Sequence, residues 1–407
     1  MAPYDSENTT AAEEVDEPRT GRRRAARYVV PVTVMGVAAA TIGLVPAIAS
    51  SGDPDLPEIT AAQLIEKIAT SDVEQLSGTV KITTDLGLPN LGGLENSIAS
   101  GAMGHGEEGG GSSAEPSAKL TELASGTHTL RVAADGPDRQ KVSLLEDAAE
   151  YSLIRNGEDL WGYDSESNEV YHGTVDTSGE ERERQPPATP KDFAEEALKA
   201  VDDTTSVTVD GTAQVAGRDA YKLVIEPKQS GSTVGAISIA VDHKTGMPLK
   251  FTLTPSSGGA AVVDVGFTKV SFDRPAASTF AFTPPKGAKV TEDEELDHGR
   301  EHPRKRERAP KSEEDLGKGL DGLKMLGEGW NSIATFDTGG EGGLPTREAG
   351  GDFGGFLGSL GDQVKGDFGT GTVLSTRLVN ALITEDGKVY VGTVTKDALV
   401  KAADGGK

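Results

Sequence analysis

From Thr60 onward the chain switches between two hydrophobic periods, and the switches mark out its elements. Ala61, Leu64, Ile65, Ile68 and Ala69 recur at helical spacing behind Thr60, a good N-cap, and predict a short helix with one apolar stripe. Such a stripe needs a sheet to cover. Gly78 to Leu86 alternates apolar and polar positions until Leu88-Pro89, which predicts a strand with Val80 and Ile82 on one face. Residues 92–117 then turn to Gly, Ser, Glu and Ala with almost no large apolar side chain, the composition of a disordered insertion. Alternation resumes in Thr127 to Ala133, Gln140 to Leu145, Glu150 to Arg155, Asp159 to Tyr163 and Glu169 to Thr174. The breaks between them, Asp135-Gly136-Pro137, Asn156-Gly157 and Ser165 to Asn168, read as hairpin turns.

After a charged, Pro-rich stretch from Gly179 to Pro190, helical spacing returns in Phe193, Ala194, Ala197, Leu198 and Val201, predicting a helix over Lys191 to Val201. Ser206 to Val215, Arg218 to Pro227, Gly235 to Val241, Pro248 to Thr254 and Val262 to Phe272 then form a predicted antiparallel meander, turned at Gly217-Arg218 and at Asp242 to Met247. One curved sheet fits these strands better than two domains. Pro275 to Val290 leaves it through Phe280, Phe282, Pro284 and Pro285. A run of charges of both signs over 291–315 reads as a linker or an exposed helix. The region 316–407 carries a modest apolar segment with Leu320, Leu323, Met325, Leu326 and Trp330, and a Gly-rich loop over 337–371. It ends with a hairpin, Thr372 to Thr384 and Lys388 to Thr395 around Glu385-Asp386-Gly387, and a closing helix from Thr395 to Ala403.

The start of the chain obeys another rule. Arg22, Arg23, Arg24 and Arg27 precede an uncharged apolar run, Tyr28 to Ala49, close to the ~20 residues that span a bilayer as a helix. Basic residues on that side alone orient it positive-inside, so 1–27 is a cytoplasmic leader and everything from Ser50 is extracytoplasmic. The run serves as a transmembrane signal anchor, making a single-pass cell-membrane protein. Alternatively it is a signal peptide cut at Ala49-Ser50, which would release a secreted domain. Residues 50–58, rich in Pro and Asp, form the tether.

Composition narrows the chemistry. Net charge is -25 over 407 residues, and an acidic surface has no general attraction for nucleic acid or anionic lipid headgroups. The absence of cysteine excludes disulfides, thiol nucleophiles, thiolate metal sites and an acylated N-terminal Cys, so membrane attachment falls to the apolar helix. No Gly-x-Ser-x-Gly elbow occurs, and the six His fall in unrelated segments. His298 and His302 flank Glu301 in the wrong order for a zinc helix, and the charged linker is the wrong setting. Gly104, Gly106 and Gly109 satisfy a nucleotide-loop spacing by letters, with no strand before and no helix after. The reading is a non-enzyme without cofactor or metal.

Three runs carry a family resemblance: Val215-Ala-Gly-Arg-Asp-Ala-Tyr-Lys-Leu-Val-Ile-Glu-Pro227, Ile239-Ala-Val-Asp242 with Thr245-Gly-Met-Pro-Leu249, and Phe280-Ala-Phe-Thr-Pro-Pro-Lys-Gly-Ala-Lys-Val290. With Ser77-Gly-Thr-Val80 and Trp161-Gly-Tyr-Asp164 upstream, the stretch 59–290 resembles the LolA-like superfamily, which includes lipoprotein carriers of the LolA type and RseB- or MucB-type regulators of anti-sigma factors. The tail, with Gly329-Trp330, Leu374-Ser-Thr-Arg377, Ile383 to Gly387 and Gly392-Thr-Val394, is similar to the C-terminal portion of membrane-anchored members from Gram-positive bacteria. The resemblance implies an α+β fold: a strongly curved antiparallel sheet, an unclosed half-barrel, with helices on its concave face. It also implies partners, namely lipid or the acyl chains of lipoproteins held in an apolar cavity, or an anti-sigma factor met by protein contact. The anchor suits a fixed receptor or regulator better than a diffusing shuttle. Strand parity supplies the cavity candidates, since residues two apart share a side: Val80 and Ile82, Leu130 and Val132, Leu223 and Ile225, Ile237 and Ile239, Phe251 and Leu253. The alternative is that they are ordinary core meeting the helices.

Overall fold

The computed structural model describes residues 54–87, 112–116, 119, 123, 125–174, 189–292, 324–337 and 361–405. The leader, the apolar run Tyr28 to Ala49, Gly104 to Gly109, and His298 and His302 lie outside them. No helix among the described residues is long and apolar enough to cross a membrane.

Alternation produces strands almost where the sequence predicts them. They are β1 (Gln75–Thr84), β2 (Gly126–Asp135), β3 (Arg139–Leu145), β4 (Glu150–Asn156), β5 (Asp159–Asp164), β6 (Glu169–Thr174), β7 (Thr205–Val215), β8 (Arg218–Pro227), β9 (Val234–Asp242), β10 (Pro248–Pro255), β11 (Val263–Ser271) and β12 (Lys289–Glu292). Together they form one twelve-stranded sheet in the order β12-β6-β5-β4-β3-β2-β1-β11-β10-β9-β8-β7. Pairing is antiparallel except for β12, which lies parallel to β6. The sheet is unclosed, ending at β12 and β7. It is also coiled: β7 comes within 8 Å of β11 although three strands intervene, a separation of about 19 Å in a flat sheet.

Local chemistry sets the turns and helix starts. Between β7 and β8 both Ala216 (φ 51°) and Gly217 (φ 76°) are left-handed, the backbone of a two-residue hairpin turn. The turn therefore sits one residue earlier than Gly217-Arg218, because Ala216 carries no turn signal of its own. Between β9 and β10 the buried carboxylate of Asp242 accepts from the Lys244 N–H (3.1 Å), the Thr245 N–H (2.8 Å) and the Thr245 hydroxyl (2.9 Å), and from Arg218 Nε at 2.6 Å. Helix α1 (Ala61–Ala69) starts on a capping box between Thr60 and Gln63, and α2 (Pro190–Lys199) on one between Thr189 and Asp192 with Pro190 in its first turn. Helix α1 packs on β7 and β8, α2 on β9 to β11.

A second, six-stranded sheet has the order β13-β14-β18-β17-β16-β15. Its strands are β13 (Lys324–Leu326), β14 (Ile333–Asp337), β15 (Asp362–Gly366), β16 (Gly369–Ser375), β17 (Asn380–Thr384) and β18 (Lys388–Gly392), and α3 (Lys396–Gly405) covers one face. Ile333, Val373, Leu382, Tyr390, Leu399 and Ala403 form its own core. The predicted strand Thr372 to Thr384 is broken at Thr376, whose hydroxyl accepts from the Val379 N–H at 2.7 Å. That break has a purpose in the fold. The turn presents Arg377 to the first sheet, where its guanidinium binds the Asp85 carboxylate at 2.7 Å and the Ala260 carbonyl, and its N–H donates to the Leu86 carbonyl at 2.9 Å. Trp330 ties the sheets a second time, its indole N–H donating to the Thr205 hydroxyl at 2.8 Å.

Candidate ligand-binding face

Cross-strand register decides which side chains share a face, because directly opposed residues point the same way. Leu223 stands opposite Ile239, Ile239 opposite Phe251, Phe251 opposite Val265 and Val265 opposite Ile82. Ile225, Ile237, Leu253 and Val263 make a parallel row one step along. Two residues from Ile82, Val80 opens a row through Leu130, Leu144 and Tyr151, and Val132 one through Val142, Leu153, Gly162 and Tyr171. Every parity candidate therefore lies on one continuous face running from β8 to β4. All are buried except Leu253, which is half-buried.

That face has two halves with different covers. Leu223, Ile225, Ile237, Ile239 and Phe251 pack with Leu64 and Ile68 of α1 and Ala194 and Ala197 of α2. Phe193 lies against Phe251 with ring centroids 5.2 Å apart. Here the helices occupy the space themselves. Val80, Ile82, Leu130 and Val132 belong instead to a cluster with Leu144, Tyr151 and Phe267, against which Phe193 of α2 and Leu123 pack. The structure thus brings the candidates onto one surface but divides them between a helix-filled half and a half that α1 and α2 do not fill.

Beyond Tyr151 the face is covered by residues 112–116, a part of the predicted disordered insertion that packs on the sheet. Ala114 is fully buried against Gly162, where a Cβ would overlap the Ala114 carbonyl oxygen. Glycine inside a strand signals such a close backbone approach. The Tyr151 hydroxyl donates to that same carbonyl at 3.1 Å. Burial, aided by the Asp164 carboxylate, pushes the Tyr151 phenol above its usual range, so it remains a donor. Glu169 completes the contact. Its Oε2 accepts from the Ser112 hydroxyl (3.0 Å), the Ser113 N–H (2.9 Å) and the Ser113 hydroxyl (3.1 Å), and its Oε1 accepts from Lys289 Nζ (3.0 Å). Parity reasoning missed Tyr151, Gly162 and Glu169, although Gly162 within a strand pattern was a readable signal.

The Lys289 hydrogen bond, then that from the Ser113 N–H, bring Glu169 down to about 2 from 4.5. A depressed folded-state value means the carboxylate favours the docked segment above pH 4.5, and the contribution disappears as pH falls through about 2. Carboxyl titration by NMR is expected to give a midpoint near 2, with amide protection of Ser113 declining over the same window. A midpoint near 4.5 would show that Glu169 is not held in this way.

Trp161 and Tyr163 point to the opposite face. Trp161 stacks on His172 at 3.8 Å, and both aromatic residues meet Phe282, at 5.5 and 5.7 Å. They are packing residues on the side away from Gly162. Among the described residues no group of three or more His, Asp or Glu is placed to hold a metal ion.

Together these elements make an α+β architecture: an open, mostly antiparallel sheet with a continuous apolar face and a few helices. No protein-family model and no curated protein sequence matches the chain. Its neighbours among solved structures include MucB and LolA superfamily proteins, the kinds of protein the sequence resembles. The MucA/MucB complex of Pseudomonas aeruginosa aligns at 17% identity over 84% of this chain and 96% of that one, with a TM-score of 0.36. An uncharacterized conserved protein from Thermus thermophilus aligns at 13% over 57% and 98%, TM-score 0.30, and a LolA superfamily protein from Nitrosomonas europaea at 12% over 55% and 99%, TM-score 0.22.

Proposed function

We propose that this is a non-catalytic, extracytoplasmic LolA-like protein that binds lipid, or the acyl chain of a lipidated protein, on the apolar face of an unclosed half-barrel. Tyr28 to Ala49 would hold it at the cell membrane. One observation supports the reading: the register aligns Val80, Ile82, Leu130, Val132, Leu144 and Tyr151 into a buried apolar surface whose cover comes from segments other than α1 and, apart from Phe193, α2. An open sheet does not fill such a surface with its own side chains as a small closed barrel does. Native mass spectrometry of the protein purified from its own envelope, with extraction of bound material, is expected to show a co-purifying lipid or acylated peptide. A folded protein that carries none and takes up no fatty acid would overturn the reading.

The second sheet favours an alternative in which the protein acts as an RseB-like regulator through contact with an anti-sigma factor. A carrier needs only the first sheet, whereas the second, with its own core around Leu382 and Leu399, adds a separate surface. Affinity isolation from membranes is expected to recover a single-span partner under envelope stress if this holds.

A further inference from the structure

The segment Ser112 to Ala114 occupies the far end of the proposed ligand face with unusually little apolar substance. Its one fully buried methyl is that of Ala114, and its grip is otherwise polar and convergent. One carboxylate, Glu169, takes three of its donors, and one phenol, Tyr151, holds its carbonyl. The Ser113 hydroxyl also meets that of Ser167 at 2.6 Å. Beneath it lie Gly162, Tyr151 and Tyr171, the continuation of the rows that begin at Val80 and Val132. A plug meant to be permanent would bury large side chains, since burial of apolar area is the main source of packing stability. This contact instead rests on hydrogen bonds that water can replace on release.

We propose that Ser112–Ala114 is an intramolecular strap, docked in a notch formed by Gly162, Tyr151 and Glu169, and that it and an acyl chain are mutually exclusive occupants of the β3–β6 end of the apolar face. The inference rests on the lipid-binding reading and names its regulation. Ligand must meet the protein with the strap undocked, so apparent affinity falls with the fraction of molecules in which the strap is down. The contact is also selective for small residues. A Cβ at position 162 would overlap the Ala114 carbonyl oxygen, so only glycine there lets backbone meet backbone.

The chain contains no cysteine, which makes a clean lock available. In the full-length double variant Ser113→Cys with Ser167→Cys, two side chains whose oxygens now stand 2.6 Å apart can be joined as a disulfide. Ser113→Pro does the reverse, removing both the N–H and the hydroxyl that bind Glu169 without touching the core. The probe is a dansyl-labelled fatty acid, read by fluorescence titration, with hydrogen exchange at 112–116 reporting the strap. Oxidation of the double variant is expected to weaken uptake at least about tenfold, the factor given by a tenfold loss of competent molecules. Reduction should restore it, and Ser113→Pro should bind more tightly than the native chain. Equal uptake by the oxidised, reduced and Ser113→Pro forms would overturn the strap while leaving lipid binding intact. No uptake by Ser113→Pro, with its strap shown released by exchange, would overturn the lipid-binding reading and the strap's gating role together.

Discussion

Replacement of Asp242 by alanine is expected to cost about 3 kcal/mol, the scale for removing one partner of a buried, hydrogen-bonded ion pair. The side chain is 1% exposed and holds the β9–β10 turn closed through Lys244 and Thr245 while binding Arg218. Its loss leaves turn N–H groups and the Arg218 guanidinium without their acceptor. Arg218 also lies over the Phe272 ring at 4.4 Å, so the β7–β8 hairpin loses its anchor to the end of β11 as well. Burial alone would raise the Asp242 carboxyl, but the Arg218 hydrogen bond and the Thr245 N–H and hydroxyl outweigh it and hold it below the ordinary value of 3.8. A depressed folded-state value contributes stability that is complete above pH 3.8 and declines as pH falls below it. Urea titrations of the native chain and Asp242→Ala should therefore differ most near neutrality and converge in acid, with Asp242→Asn falling between. Equal midpoints at neutral pH would show that the turn closes without the carboxylate.

Asp242 also shows why so much of the sheet was legible. Asp242 to Met247 reads as a turn because its side-chain acceptor and its glycine act on their own neighbours, with Gly246 at φ 74°. The same holds for Thr60 and Thr189 at the helix starts. Elements fixed by distant partners left no such mark. Strand β12 follows Pro284, Pro285 and Gly287 and has no apolar alternation; it exists because Lys289 and Glu292 find Glu169 and His172 on β6. Leu374, Thr376 and Leu378 continue a strand-like alternation through the point where Arg377 turns the chain toward Asp85. Ser112 to Ala114 look disordered by composition because their order is supplied by Gly162, Tyr151 and Glu169.

The candidate site was legible to the same depth. Parity within a strand needs no partner, so each pair of candidates could be read off, but the register that places all of them on one face is a property of the pairings. Which half the helices would fill was not in the pattern either, since the stripe of α2 says that it covers something and not which strands. That division separates stability from binding in a way that can be measured. Ile239 is fully buried beneath the helices, and truncating such a residue to alanine removes its transfer energy and leaves a cavity, about 2–5 kcal/mol. Ile239→Ala is therefore expected to lower the unfolding free energy by that amount while leaving fatty-acid affinity within about twofold of the native chain, because a cavity walled by Leu64, Ile68 and Ala197 lies in the helix-filled half. Leu144→Ala, also buried but in the row beside Tyr151, should alter affinity as well as stability. If Ile239→Ala weakened uptake more than Leu144→Ala, the ligand would have to lie under α1 and α2, and the helices rather than the strap would be the part that yields.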